Sequence, residues 1–85
     1  MTIRVTQPDT YHASQSVRIL IDGVYIGSIG PGGSISGESS VPAEYPWKVE
    51  AICGTFHAQS FGHGDADLQI QWLIPAAMEM RKIVK

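Results

Sequence analysis

Val17-Arg18-Ile19-Leu20-Ile21-Asp22-Gly23-Val24-Tyr25-Ile26-Gly27-Ser28-Ile29 is the stretch that decides the fold. Two runs rich in β-branched apolar residues flank Asp22-Gly23, the strongest short-range signal for a two-residue hairpin turn. A type I′ turn there sets Ile21 opposite Val24, Leu20 opposite Tyr25 and Ile19 opposite Ile26. Opposed residues share a sheet face, and faces alternate along each strand. One register therefore sorts Val17, Ile19, Ile21, Val24 and Ile26 onto a single face that is expected to be buried, with Asp22-Gly23 at an exposed turn. Leu20 and Tyr25 fall on the reverse beside Arg18 and predict a half-covered patch.

The same period continues on both sides of the hairpin. Thr2–Thr6 reads as a first strand, Gln7–Thr10 as a turn, and Tyr11–Ser16 as a polar lead-in. Gly30–Ser34 breaks the second arm, and Ile35 anchors a brief strand or loop. Gly37–Pro46 is polar and turn-rich. Trp47–Cys53 alternates, with Trp47, Val49, Ala51 and Cys53 inward and Lys48 and Glu50 outward. Gly54 marks a turn or bulge before a return strand over Thr55–Phe61. Asp67–Ile74 alternates again, with Leu68, Ile70, Trp72 and Ile74 on one side. Pro75–Lys82 has Pro at a possible first helical position, but it is short for a helix. Its Met78/Met80 alternation favours a closing strand over a short helix. The expected fold is all-β, a small antiparallel sandwich or partly open barrel of about six to eight short strands.

Length and charge narrow the function. Eighty-five residues make one domain, Met1–Lys85, burying roughly 60–65% of the surface its unfolded chain exposes. Self-association as a homo-oligomer is a common remedy for so small a core. A formal net charge of −2 argues against nucleic-acid and anionic-membrane partners, and Arg81, Lys82 and Lys85 read as a solvated tail. The single cysteine, Cys53, forms no internal disulfide and reads as a core thiol. The apolar stretch from Trp72 to Met78 is far short of the roughly 18 residues of a membrane span. The first residues alternate like a strand and lack the apolar run of a signal peptide. The expected location is the cytoplasm, although a surface domain trimmed of its leader would read the same.

Few residues carry recognisable chemistry. Gly27–Ser34 is rich in glycine, but no Lys follows and no helix begins there, so a phosphate loop has no support. No Ser lies in a Gly-x-Ser-x-Gly elbow, and no cofactor motif is present. His57, His63, Asp65 and Asp67 have the donor types for a divalent ion, and the last three, spaced by two, project to one side of an extended chain. The calcium-loop template fails for want of its glycine and closing carboxylate, and His-x-Asp-x-Asp beside glycines is also ordinary turn chemistry. His12 reads as surface. Tyr45-Pro46-Trp47 joins a loop to a strand. Exposed, Tyr45 and Trp47 would make a binding platform, whereas Trp47 and Trp72 on facing strands would be core.

Val-Arg-Ile-Leu-Ile-Asp-Gly-Val-Tyr-Ile-Gly-Ser-Ile, then Gly-Gly-Ser-Ile, then Ser-Val-Pro-Ala and a strand ending Ala-Ile-Cys-Gly together resemble PEGA-like β-sandwich modules. Those modules share an Ile-Asp-Gly-x-x-Ile-Gly hairpin followed by a Val-Pro-x-Gly-x-His turn. The likeness covers Val17 to Gly54 and departs from that form at Ala43-Glu44-Tyr45-Pro46-Trp47. It implies a non-enzymatic accessory or interaction module and carries over no catalytic residues. The expected function is therefore a non-enzymatic binding or assembly module with a protein partner or a second copy of itself. The alternative is a metal- or small-ligand-binding protein; the candidate ligand-binding residues are Tyr45, Trp47, His57, His63, Asp65 and Asp67.

Overall fold

The computed structural model describes residues 1–8, 16–73 and 77–83. The Tyr11–Gln15 lead-in with His12, and Ile74 and Pro75, lie outside the described residues. Among the described residues the chain forms eight strands and no helix: β1 (Thr2–Thr6), β2 (Val17–Ile21), β3 (Val24–Ile29), β4 (Ser34–Glu38), β5 (Trp47–Cys53), β6 (Phe56–Gly62), β7 (Ala66–Leu73) and β8 (Ala77–Lys82). They make two four-stranded sheets, ordered β4-β1-β7-β8 and β3-β2-β5-β6, stacked as a sandwich. All pairings are antiparallel except β1 with β7, which is parallel. The C-terminal segment is a strand, and its Met78 and Met80 enter the core. No helix among the described residues is long and apolar enough to cross a membrane.

Side-chain alternation builds the core as the pattern predicts. Ile3 and Val5 of β1, Leu68 and Ile70 of β7, Val17, Ile19 and Ile21 of β2, and Trp47, Val49 and Ala51 of β5 are all buried between the sheets. Cys53 is a buried thiol. The hairpin turn has positive φ at both Asp22 (51°) and Gly23 (83°), as a type I′ turn requires. Ile21 faces Val24 and Leu20 faces Tyr25.

Beyond that point the register departs from expectation. A bulge between Ile19 and Leu20 pairs Ile19 with Gly27 instead of Ile26, leaving Ile26 as the extra residue. The residue after the bulge is a glycine for two reasons. Its φ of 146° is a conformation that L side chains rarely adopt, and a Cβ there would collide with Ile35 Cδ1. Val24 is 64% exposed because it stands at the turn on an edge strand; Ile26 is partly buried against the core.

Asp22 also differs from expectation, being half-buried. Its Oδ1 accepts the Lys48 backbone N–H at 3.0 Å and its Oδ2 accepts the Ser39 hydroxyl at 2.6 Å. Its own N–H donates to the Lys48 carbonyl at 2.8 Å. Ser39 in turn donates its N–H to the Met1 carbonyl at 2.9 Å. One turn residue thus joins the hairpin to the start of β5 and to the segment after β4.

Gln7 closes the opposite end of the core. It is fully buried, donating its backbone N–H to the Gly33 carbonyl at 2.9 Å and its amide to the Ile29 carbonyl at 3.0 Å. Its Oε1 accepts the Trp72 indole N–H at 2.9 Å. Trp72, expected inside, is half-buried and packs edge-on against Phe56, with centroids 5.5 Å apart.

Replacing the Asp22 carboxylate should be felt globally. Asp22→Ala leaves the Ser39 hydroxyl and the Lys48 N–H without their acceptor and should cost about 2–3 kcal/mol. Asp22→Asn keeps an oxygen acceptor and tolerance of positive φ, and should lose about 1 kcal/mol or less. Urea unfolding midpoints at equal m-value check the order; equal stability of Asp22→Ala and wild type would refute the clamp.

Candidate functional site

Alternation and the turns divide the six candidate residues among four places. Trp47 is the clearest correction. It is fully buried, its indole N–H donating to the Gly64 carbonyl at 2.8 Å, and it is no part of an exposed platform. The period-2 pattern that points Val49 and Ala51 inward takes Trp47 with them. Its cross-strand partner is Gly62, where a Cβ would come within 2.6 Å of the indole ring. Lys82, expected in a solvated tail, pairs with Leu68 in β8 and lays its ammonium 5.5 Å from the Trp47 ring centroid, a cation–π contact.

His63, Asp65 and Asp67 do share a place. With Ala66, Lys82 and Ile83 they line an open depression of about 340 Å³ at the end of the sandwich where β6 passes to β7. Each of them already has work there. Asp65 Oδ1 accepts the Thr2 N–H at 2.7 Å, His63 Nδ1 lies 3.4 Å from the Ala43 carbonyl, and Asp67 accepts the Ile83 N–H at 2.9 Å through its carbonyl. The loop fastens the start of β1 and the end of β8.

His57 does not join them. It lies six positions earlier, near the start of β6, so the strand rise alone separates it from His63 by about 20 Å. It faces outward with Nε2 3.1 Å from Glu50 Oε2. Among the described residues no three His, Cys, Asp or Glu side chains are placed to hold a metal ion.

Tyr45 is exposed, 59% of it, in the loop between β4 and β5. Its N–H donates to the Pro42 carbonyl at 2.9 Å, a tight turn that lifts Glu44 and Tyr45 into solvent.

The more extensive surface is one that the sequence pattern reveals only in part. The outer face of the β3-β2-β5-β6 sheet aligns Tyr25, Leu20, Glu50 and Gln59 in one cross-strand row, and Arg18, Ile52 and His57 in the next. Arg18, Leu20, Tyr25 and Ile52 line a trough of about 350 Å³. Tyr25 is 57% exposed and Phe61, further along β6, 56%. The half-covered patch predicted for Leu20 and Tyr25 is one end of this face. Ile52 and Phe61 are the part that was missed; their alternation with Cys53 and Gly62 was the available signal.

Glu50 organises the charges there. Its Oε1 lies 3.3 Å from Lys48 Nζ, and Oε2 meets His57. Desolvation pushes the Glu50 carboxyl up, but the hydrogen bonds and charges of Lys48 and His57 outweigh it and hold the group below its ordinary value.

The chain matches no protein-family model, no curated protein and no solved structure.

The depressed Glu50 value has a defined sign. The folded chain favours the carboxylate, so its contribution is complete above the ordinary Glu value of about 4.3 and is lost as pH falls through the lower folded one. Glu50→Gln should therefore lower Tm at about pH 6, and the gap should close towards pH 3 as the wild-type carboxyl protonates. Thermal melts across that range check this; a gap that widens in acid contradicts it.

Proposed function

We propose that the chain is a non-enzymatic binding and assembly module that works through the outer face of the β3-β2-β5-β6 sheet. The contrast between the two outer faces carries this reading. The β4-β1-β7-β8 sheet shows solvent a polar face, with Arg4, Thr6, Ser36, Gln69, Gln71 and Arg81 among its outward residues. The other sheet exposes Tyr25 and Phe61 by more than half and sets Leu20 and Ile52, both half-buried, between charged groups. Apolar side chains grouped on one face of a small domain mark interaction sites, and aromatic residues beside arginine are the usual anchors of protein interfaces. The likeness of Val17–Gly54 to PEGA-like modules supports the same reading.

A photo-cross-linking residue tests the face even while the partner is unidentified. Placed at Tyr25 or Phe61 and irradiated in the source cell, it should give discrete covalent adducts, while the same residue at Gln71 on the polar face should give few or none. Absence of adducts from both Tyr25 and Phe61, or equal yield from Gln71, would sink the reading.

A further inference from the structure

The trough and the exposed loop are complementary. Arg18 is exposed at the edge of the trough, and its guanidinium has no ion pair or hydrogen bond among the described residues. Leu20, Ile52 and the Tyr25 ring supply the apolar lining. The trough's volume, about 350 Å³, is in the range that holds a small ligand or a single protruding side chain. Its chemistry calls for an apolar ring with a carboxylate beside it. The chain itself presents that combination at Glu44-Tyr45. Tyr45 is 59% exposed, and Glu44 is exposed with no ion pair or side-chain hydrogen bond among the described residues.

We propose that the occupant of the trough is a second copy of this chain, whose Tyr45 ring seats on Leu20 and Ile52 while its Glu44 carboxylate pairs with Arg18. The inference rests on the binding reading above and names its partner. Within one copy the loop cannot serve its own trough. Glu44 and Tyr45 lie at the end of the sandwich where β5 begins, whereas Arg18 and Ile52 lie towards the end where β5 finishes. Knob and hole are thus different surfaces of the same molecule, and the contact is heterologous. Repetition of a heterologous contact gives a ring or an open filament and does not stop at a dimer. A knob of this size covers far less than a standard interface, so each contact is weak.

Charge reversal provides the test. By sedimentation velocity up to about 1 mM, the wild-type chain should grow past dimer with concentration, and growth should fall with added salt. Arg18→Glu and Glu44→Arg are surface changes that should each leave the circular dichroism spectrum and Tm intact. Each should weaken assembly at least tenfold. In an equimolar mixture of the two variants, every contact between unlike copies again brings opposite charges together, one pair in the native sense and the next reversed. The mixture should therefore recover assembly, as should the double variant R18E/E44R. A chain that stays monomeric, one that stops at dimers, single variants that assemble like wild type, or a mixture that fails to recover would each overturn the proposal. Cross-links from Tyr25 to other proteins but never to a second copy would leave the binding reading standing and remove this one.

Discussion

The Asp22 carboxylate fixes where three segments meet. A type I′ turn demands positive φ at both central residues, and aspartate accepts that conformation more readily than most side chains. The same residue then commits both carboxylate oxygens to other segments, one to the Lys48 N–H and one to the Ser39 hydroxyl. Lys48 is the second residue of β5 in the hairpin's own sheet, whereas Ser39 follows β4 in the opposite sheet and is bonded to Met1. The turn therefore ties the two layers together at one end. Together these bonds to a half-buried carboxylate are worth about 2–3 kcal/mol, a large share of the total stability of a domain this size.

The opposite end is closed by other means. Gln7 is neutral and fully buried, and it satisfies backbone groups of Ile29 and Gly33 together with the Trp72 indole. A two-layer core has to be sealed where its strands end, because backbone polar groups there leave their ladders. Asp22 seals one end with charge and Gln7 the other with an amide. Between them the described core is built from alternating aliphatic side chains with Cys53, Met78, Met80 and the buried Trp47.

Strand identity was legible because it depends on a period. Trp47 to Cys53 alternates without interruption, and every inward assignment in it matches observed burial. The Met78/Met80 alternation likewise outweighed the helix formers around it. What the period could not carry was anything set by sequence-distant packing. The bulge before Gly27 and the close approach of Ile35, from the opposite sheet, to the Gly27 Cα are set by packing that no local pattern encodes. The parallel pairing of β1 with β7 joins segments some sixty positions apart. Asp22 and Gln7 read locally as turn residues, since their partners lie across the fold. For the candidate site, spacing did bring His63, Asp65 and Asp67 to one depression. The return strand over Thr55–Phe61 already sets His57 apart from them by its rise alone; what the spacing could not show is that Asp65 holds the Thr2 N–H.

Polar side chains in this chain thus sort by whether the fold has already used them. Asp22, Gln7 and Asp65 are engaged by the backbone, and Glu50 by Lys48 and His57, so their chemistry serves the architecture. Arg18 and Glu44 are exposed charges with no such engagement among the described residues, and each stands beside an exposed tyrosine or an apolar trough. An isolated surface charge needs no partner, since water solvates it at little cost. A charge beside exposed apolar surface is different, because covering that surface also removes water from around the charge and strengthens any pair it forms. In the proposed contact the apolar neighbours are what would turn these two residues from solvated surface into recognition chemistry, and their opposite signs on different faces of one chain would give that contact a direction.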